Sequence, residues 1–153
     1  MSDTPTPDAS SSETSPETGT EATSPGTIGY DCIALDCADP AGVAQFYADL
    51  LGGRVEADPD GDWFDVLWMG PRIATQLAPG HESPDWPRGQ QQAHLDFVVV
   101  DIAAAHDRVL ALGGAALDPV DPPHPAPERG FRVYADPAGH PFCLCRPTED
   151  AWG

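Results

Sequence analysis

The sequence predicts an α+β fold of two tandem βαβββ modules. Three observations predict it. The run Asp31 to Asp39 (D-C-I-A-L-D-C-A-D) is echoed 62 residues later by Ala93 to Asp101 (A-H-L-D-F-V-V-V-D). Each run leads into an acid-capped amphipathic helix that stops at Gly-Gly, and each helix is followed by extended segments joined at Gly and Pro turns.

Side chains in a strand alternate between faces. In the first run Ile33, Leu35 and Cys37 therefore share one face, with Cys32, Ala34 and Asp36 on the other. In the second, Leu95, Phe97 and Val99 make an apolar face opposite His94, Asp96 and Val98. A face that carries thiol, imidazole and carboxylate in place of Lys, Glu or Thr suits a cavity wall better than bulk water. Cys37, on the apolar side, reads as a small core residue.

Asp39-Pro40 supplies an acidic cap and a proline at the first helical position. Val43, Phe46, Tyr47, Leu50 and Leu51 then recur at helical spacing until Gly52-Gly53. Asp101 repeats the cap; Ile102, Ala105, Val109 and Leu112 repeat the stripe; Gly113-Gly114 repeats the stop. From cap to first glycine is 13 residues in one copy and 12 in the other, a repeat with one indel.

Trp63 to Met69 and Arg72 to Ala78 have strand composition around Gly70-Pro71. Phe131 to Ala135 and Pro141 to Cys145 flank the turn Asp136-Pro137-Ala138-Gly139. A constant spacing of 67 aligns Phe64 with Phe131, Val66 with Val133 and Gln76 with Cys143. Each copy reads strand, helix, then about three strands, with Ala74, Gln76, Ala78, Cys143 and Cys145 on the inner face.

Residues 1–26 hold 12 Ser or Thr, 4 Pro and 5 acids with no Lys or Arg. Such a segment has nothing to bury against the entropy of ordering and is expected to be a disordered acidic tail. The expected domain is 27–147, with modules at about 27–79 and 92–147, and 148–153 forms a C-terminal tail. The formal charge is −18 on the whole chain and about −13 without the first tail. That balance argues against nucleic acid or an anionic membrane as partner. With no signal-peptide pattern and no span of ~20 apolar residues, the expected compartment is the cytoplasm and the expected partner a small molecule. Four cysteines match neither a C-x-x-C pair nor a paired C-x-x-C zinc module.

These motifs resemble the glyoxalase/bleomycin-resistance/extradiol-dioxygenase superfamily, also called vicinal oxygen chelate. The resemblance rests on Asp39, Phe46-Tyr47 and Leu51-Gly52-Gly53 after the first strand, and on D-P-x-G-x-P-F from Asp136 to Phe142 before the last. The H-x-D stretch from His94 to Asp96 and the P-F-C-L ending from Pro141 to Leu144 are similar to its glyoxalase-like subgroup. The resemblance covers about 27–147 and implies the fold, tandem βαβββ modules forming a curved mixed sheet around a cavity; the fold hosts many chemistries.

In metal-using members of the superfamily, the first and last strand of each module supply two His and two Glu or Gln to a divalent ion. Carried onto this chain, the positions are Cys32, Gln76, His94 and Cys143. Mg, Mn or Fe(II) prefers carboxylate and imidazole, so two thiols remove that hard character. The expectation is no metal cofactor; if a divalent ion is present, those four residues are its candidate ligands. The candidate catalytic pair is His94 with Asp96, and Cys32, Asp36, Gln76 and Cys143 are candidate ligand-binding residues. From the proline-rich loops at 79–92 and 121–130, Trp86 and Arg129, with Arg88 and His124, are placed at the cavity mouth.

Two functions follow. One is a metal-free protein that binds a small, partly apolar organic molecule in a cavity between the modules. The alternative is an enzyme, lyase-, isomerase- or dioxygenase-like, using a divalent metal or acid–base chemistry at His94 and Asp96. The oligomeric state is left open, a homodimer included.

Overall fold

The computed structural model describes residues 28–91, 93–123 and 130–147. The two expected tails, together with His124 and Arg129, lie outside the described residues. The described residues from Asp31 onward form one compact unit.

Strand β1 (Ile33–Cys37) runs into helix α1 (Pro40–Leu51). The Asp39 side chain caps α1 by accepting from the Gly42 N–H at 3.0 Å, and Pro40 occupies the first turn. Gly52 ends the helix in the left-handed conformation, φ 70°, which glycine adopts without strain. Strands β2 (Arg54–Ala57), β3 (Trp63–Leu67) and β4 (Ile73–Leu77) complete the first module.

The second module repeats the order: β5 (Leu95–Val98), α2 (Ile102–Ala111), β6 (Ala115–Asp118), β7 (Phe131–Ala135) and β8 (Pro141–Cys145). Asp101 caps α2 through the N–H groups of Ala103 and Ala104, both at 3.0 Å. β2 and β6 are the elements that the sequence reading counted without locating. At four residues each, they are too short for alternation to stand out.

The mixed sheet is divided between the modules, four strands in each. Sheet A has the order β1-β4-β3-β2 and sheet B the order β5-β8-β7-β6. In both, the first strand runs parallel to the last, and the remaining pairs are antiparallel.

The register corrects the constant spacing of 67. Ala34 pairs with Ala74 in sheet A, whereas Asp96, its counterpart 62 residues on, pairs with Cys143 in sheet B. Cys143 is thus equivalent to Ala74, and Gln76 to Cys145, a slip of two residues that leaves the face unchanged. For the third strands the slip is one residue, and one residue swaps faces. Val66 pairs with Ile73 on the core side, while Val133 pairs with Cys143 on the polar side. Tyr134, opposite Phe142, is the true counterpart of Val66. Phe131, opposite Cys145, sits on the polar face and is 40 % exposed.

One apolar core joins the modules. Val43, Phe46, Tyr47, Val66 and Ile73 from the first pack in the same cluster as Ile102, Val109, Tyr134, Phe142 and Leu144 from the second. Helix α1 makes the join: Phe46 meets the Phe142 ring edge-on at 5.9 Å, and Tyr47 lies 6.2 Å from Phe97. Gly114 permits a close approach of α1, because a Cβ there would lie 3.2 Å from Phe46 Cε2 as well as 2.9 Å from the Ala135 carbonyl. Each fully buried ring or branched chain in such a core contributes about 1.5–3 kcal/mol. Among the described residues no helix is long and apolar enough to cross a membrane.

Candidate functional site

Because Leu95 and Phe97 turn toward the core, His94 and Asp96 must turn to the opposite face of β5. There they meet Cys143, the cross-strand partner of Asp96 on β8. The ligand-type atoms of His94, Asp96 and Cys143 all lie within 4.8 Å of one another. His94 Nε2 is 3.4 Å from Asp96 Oδ1, and the two side chains are 50 % and 59 % exposed. Cys143 is buried. Burial, helped by a hydrogen bond to Asp96 and by the charge of that carboxyl, pushes its thiol up to about 12. It is a protonated donor near neutral pH.

Apolar groups continue the same face. Val98 pairs with Cys145, and Cys145 pairs with Phe131. Next to the His94–Asp96–Cys143 group there is thus a shelf of Val98, Cys145 and Phe131. Burial, with the Asp96 charge, also raises the Cys145 thiol.

The first module presents a separate set. Asp36 and Gln76 are cross-strand partners on the polar face of sheet A, and both are exposed. Trp63 lies opposite Gln76 and donates from its indole N–H to Asp65 at 2.9 Å. Asp65 also takes a hydrogen bond from Arg72 at 2.9 Å, and Arg72 pairs with Asp31. Cys32, just before β1, is partly buried and is not in the group around His94.

The expected site residues are thus carried by two sheets: Asp96 and Cys143, with His94 beside them, by sheet B, and Asp36 and Gln76, with Cys32 just before β1, by sheet A. Trp86 is partly buried in the linker, and Arg88 beside it pairs with Asp85 at 3.2 Å. Between the modules lies a cleft of about 60 Å³, lined by Ile33, Leu35, Tyr47, His94, Leu95 and His140 with parts of the linker. That volume is well below the ~300–1,000 Å³ of ordinary small-molecule sites. Of the expected site residues among the described ones, His94 alone borders it.

The sequence reading passed over His140, Asp136 and Tyr47, which form a buried hydrogen-bonded group at the module boundary. Asp136 had the signature of a turn and Tyr47 that of a helix stripe. Their pairing across 89 positions has no local signal.

Residues 32–145 match the family model of the glyoxalase-like domain. The chain belongs to that family. No curated protein matches it. Among solved structures it is similar to the fosfomycin resistance protein FosX of Listeria monocytogenes, at 17 % identity and a TM-score of 0.59, covering 82 % of this chain and 98 % of that one. A glyoxalase-related enzyme from Fulvimarina pelagi matches at 21 % identity and a TM-score of 0.57, over 79 % of this chain and 89 % of the other. A variant of the Listeria protein, 18 % identical over 82 % of this chain and 94 % of its own, with a TM-score of 0.59, was solved with Mn(II) and a dihydroxypropylphosphonic acid. At these identities the likeness carries the fold of the glyoxalase-like domain and no more.

The metal implied by the resemblance meets a donor set of one imidazole, one carboxyl and one buried thiol on sheet B. A hard six-coordinate ion prefers oxygen and imidazole donors, and the Cys143 proton would first have to be displaced from a group held near 12. Among the described residues no His, Cys, Asp or Glu of the first module joins the three. The residues present do not fit the hard divalent ion.

Proposed function

We propose that this glyoxalase-like domain binds a small organic molecule on the polar face of sheet B without a metal, through an apolar body and a cationic or hydrogen-bond-donating head. The observation that carries the reading is the adjacency of two surfaces. Asp96, with His94 beside it, offers acceptor groups one register step from the apolar shelf of Val98, Cys145 and Phe131. A ligand lying along β5 would place its head at Asp96 and its apolar part over the shelf. The strong excess of acidic residues favours a cationic head and disfavours a phosphate or carboxylate. Asp36 and Gln76 on sheet A are proposed as a second polar wall, with Cys32 and Trp86 at its margins.

Small-molecule sites usually bury most of their ligand, and His94 and Asp96 are half exposed in the single chain. A homodimer, with one chain covering the open face of another, fits that exposure. Calorimetric titration with benzyltrimethylammonium and with benzyl alcohol tests the reading. The cation is expected to bind more tightly, and Asp96→Asn to remove most of that preference. Equal affinity for both compounds, or a cation preference untouched in Asp96→Asn, contradicts it.

A second reading is favoured by the 3.4 Å approach of His94 Nε2 to Asp96 Oδ1. The pair would act as acid and base in an enzyme, with Asp96 orienting the ring. Under that reading a bound molecule is turned over, and His94→Gln abolishes turnover while leaving binding intact. Under the binding reading the molecule is recovered unchanged.

A further inference from the structure

His140, the residue before β8, stands where the modules meet. Its Nδ1 lies 2.8 Å from Asp136 Oδ2, and its Nε2 lies 2.9 Å from the backbone oxygen of Asp36 in β1. Asp136 Oδ1 accepts from the N–H groups of Ala138 and His140, each at 2.9 Å. Asp136 Oδ2 also accepts from the Tyr47 hydroxyl at 3.1 Å. A side chain whose two oxygens take three other donors is a carboxylate. A backbone carbonyl can only accept. Both ring nitrogens of His140 therefore donate, and only the imidazolium form has two N–H groups. A neutral ring would leave either the buried carboxylate or the Asp36 carbonyl without its partner, a costly loss in a site where the His140 side chain is 16 % exposed and that of Asp136 fully buried.

We propose that His140 is a proton-held clasp between the modules: its doubly protonated ring ties the Asp136 turn to the backbone of β1, and the hold loosens when the ring loses its proton. The groups facing the ring are Asp136 from its own turn, Asp36 from β1, Tyr47 from α1 and His81 from the linker. The His81 ring lies 4.8 Å from that of His140 and is bonded through Nε2 to the Ala138 carbonyl at 3.0 Å. Burial works against charge on His140, but the hydrogen bond and charge of Asp136, with the Asp36 carbonyl, outweigh it and hold the pKa above the ordinary 6.5.

Tyr47 and Cys37 stay out of this titration. Burial and Asp136 hold the Tyr47 hydroxyl well above its usual range. Burial, with nearby carboxylates, pushes the Cys37 thiol up to about 11. Because the folded pKa of His140 is raised, its stabilisation is complete below the unfolded value near ~6.5 and is lost as pH rises through the folded value. His140 and Tyr47 also line the inter-module cleft beside His94, so release of the clasp acts on that cleft.

The test combines a histidine-selective NMR titration of the full chain with its melting temperature between about pH 5 and 8. The His140 midpoint should lie above that of an ordinary histidine, with both ring nitrogens protonated below it. The melting temperature should fall as pH rises through that midpoint, and in His140→Gln the fall should be absent. His81→Asn should keep it. A His140 midpoint at or below 6.5, a fall that persists in His140→Gln, or one that disappears in His81→Asn overturns the proposal. If His140→Gln fails to fold, the wild-type titration decides alone.

Discussion

The hydroxyl of Tyr47 donates to Asp136 Oδ2 at 3.1 Å, joining the first helix of the chain to the last turn across 89 residues of sequence. The bond is buried, and its acceptor, Asp136, also takes the N–H groups of Ala138 and His140. Tyr47→Phe keeps the ring in the core and deletes this one bond. It should cost about 1.5–3 kcal/mol, the range for hydrogen bonds to charged groups, read from urea denaturation. A change below ~0.5 kcal/mol, the ordinary scatter of surface substitutions, would show that the bond does not hold the modules together.

Phe142 touches Phe46, Tyr47, Phe97 and Tyr134 and is fully buried. Phe142→Ala should therefore destabilise by about 3–5 kcal/mol. Leu35→Ala, at a partly buried position, should cost clearly less. Equal losses in equilibrium denaturation would mean that the shared core is not centred on β8.

Most of the fold was legible in the sequence because caps, stops and alternation are local. Asp39, Asp101, Gly52 and Gly113 mark the helix ends by their own side chains or by lacking one, and the faces of β1 and β5 follow from alternation alone. The pairing of the later strands was not legible. A spacing of 67 put Val66 and Val133 together, but register is set by turns and core packing, and one residue of slip moved Val133 to the face of Cys143, where it is buried all the same. For the site, His94, Asp96 and Cys143 come together because two strands with readable faces pair. Cys32, Asp36 and Gln76 belong to the other sheet, and no local pattern says how two sheets are disposed.

That register correction can be measured. Val66 is fully buried, so Val66→Thr buries a hydroxyl in the core and should cost about 1–3 kcal/mol. Phe131→Thr, on the polar face, should change stability little and instead weaken binding of an apolar cation. If the two substitutions were equally destabilising, Phe131 would belong to the core and the assigned face would be wrong.

Asp96 also controls a thiol. Burial is the main reason that Cys143 stands near 12, and the Asp96 hydrogen bond and charge add to it. Asp96→Asn removes the charge, so the Cys143 pKa should drop part of the way toward 9.0. Iodoacetamide labelling of Cys143 should then reach half-maximal rate at lower pH than in wild type. An unchanged profile would separate the two residues.

The central claim is that this glyoxalase-like domain binds its ligand without the divalent ion that the resemblance to metal-using relatives implies. Elemental analysis of protein purified without chelator tests it most directly. The account predicts far less than one ion per chain, and ligand titrations that EDTA leaves unchanged. A stoichiometric divalent metal, lost together with ligand binding on EDTA treatment and absent from Cys143→Ala, would contradict it.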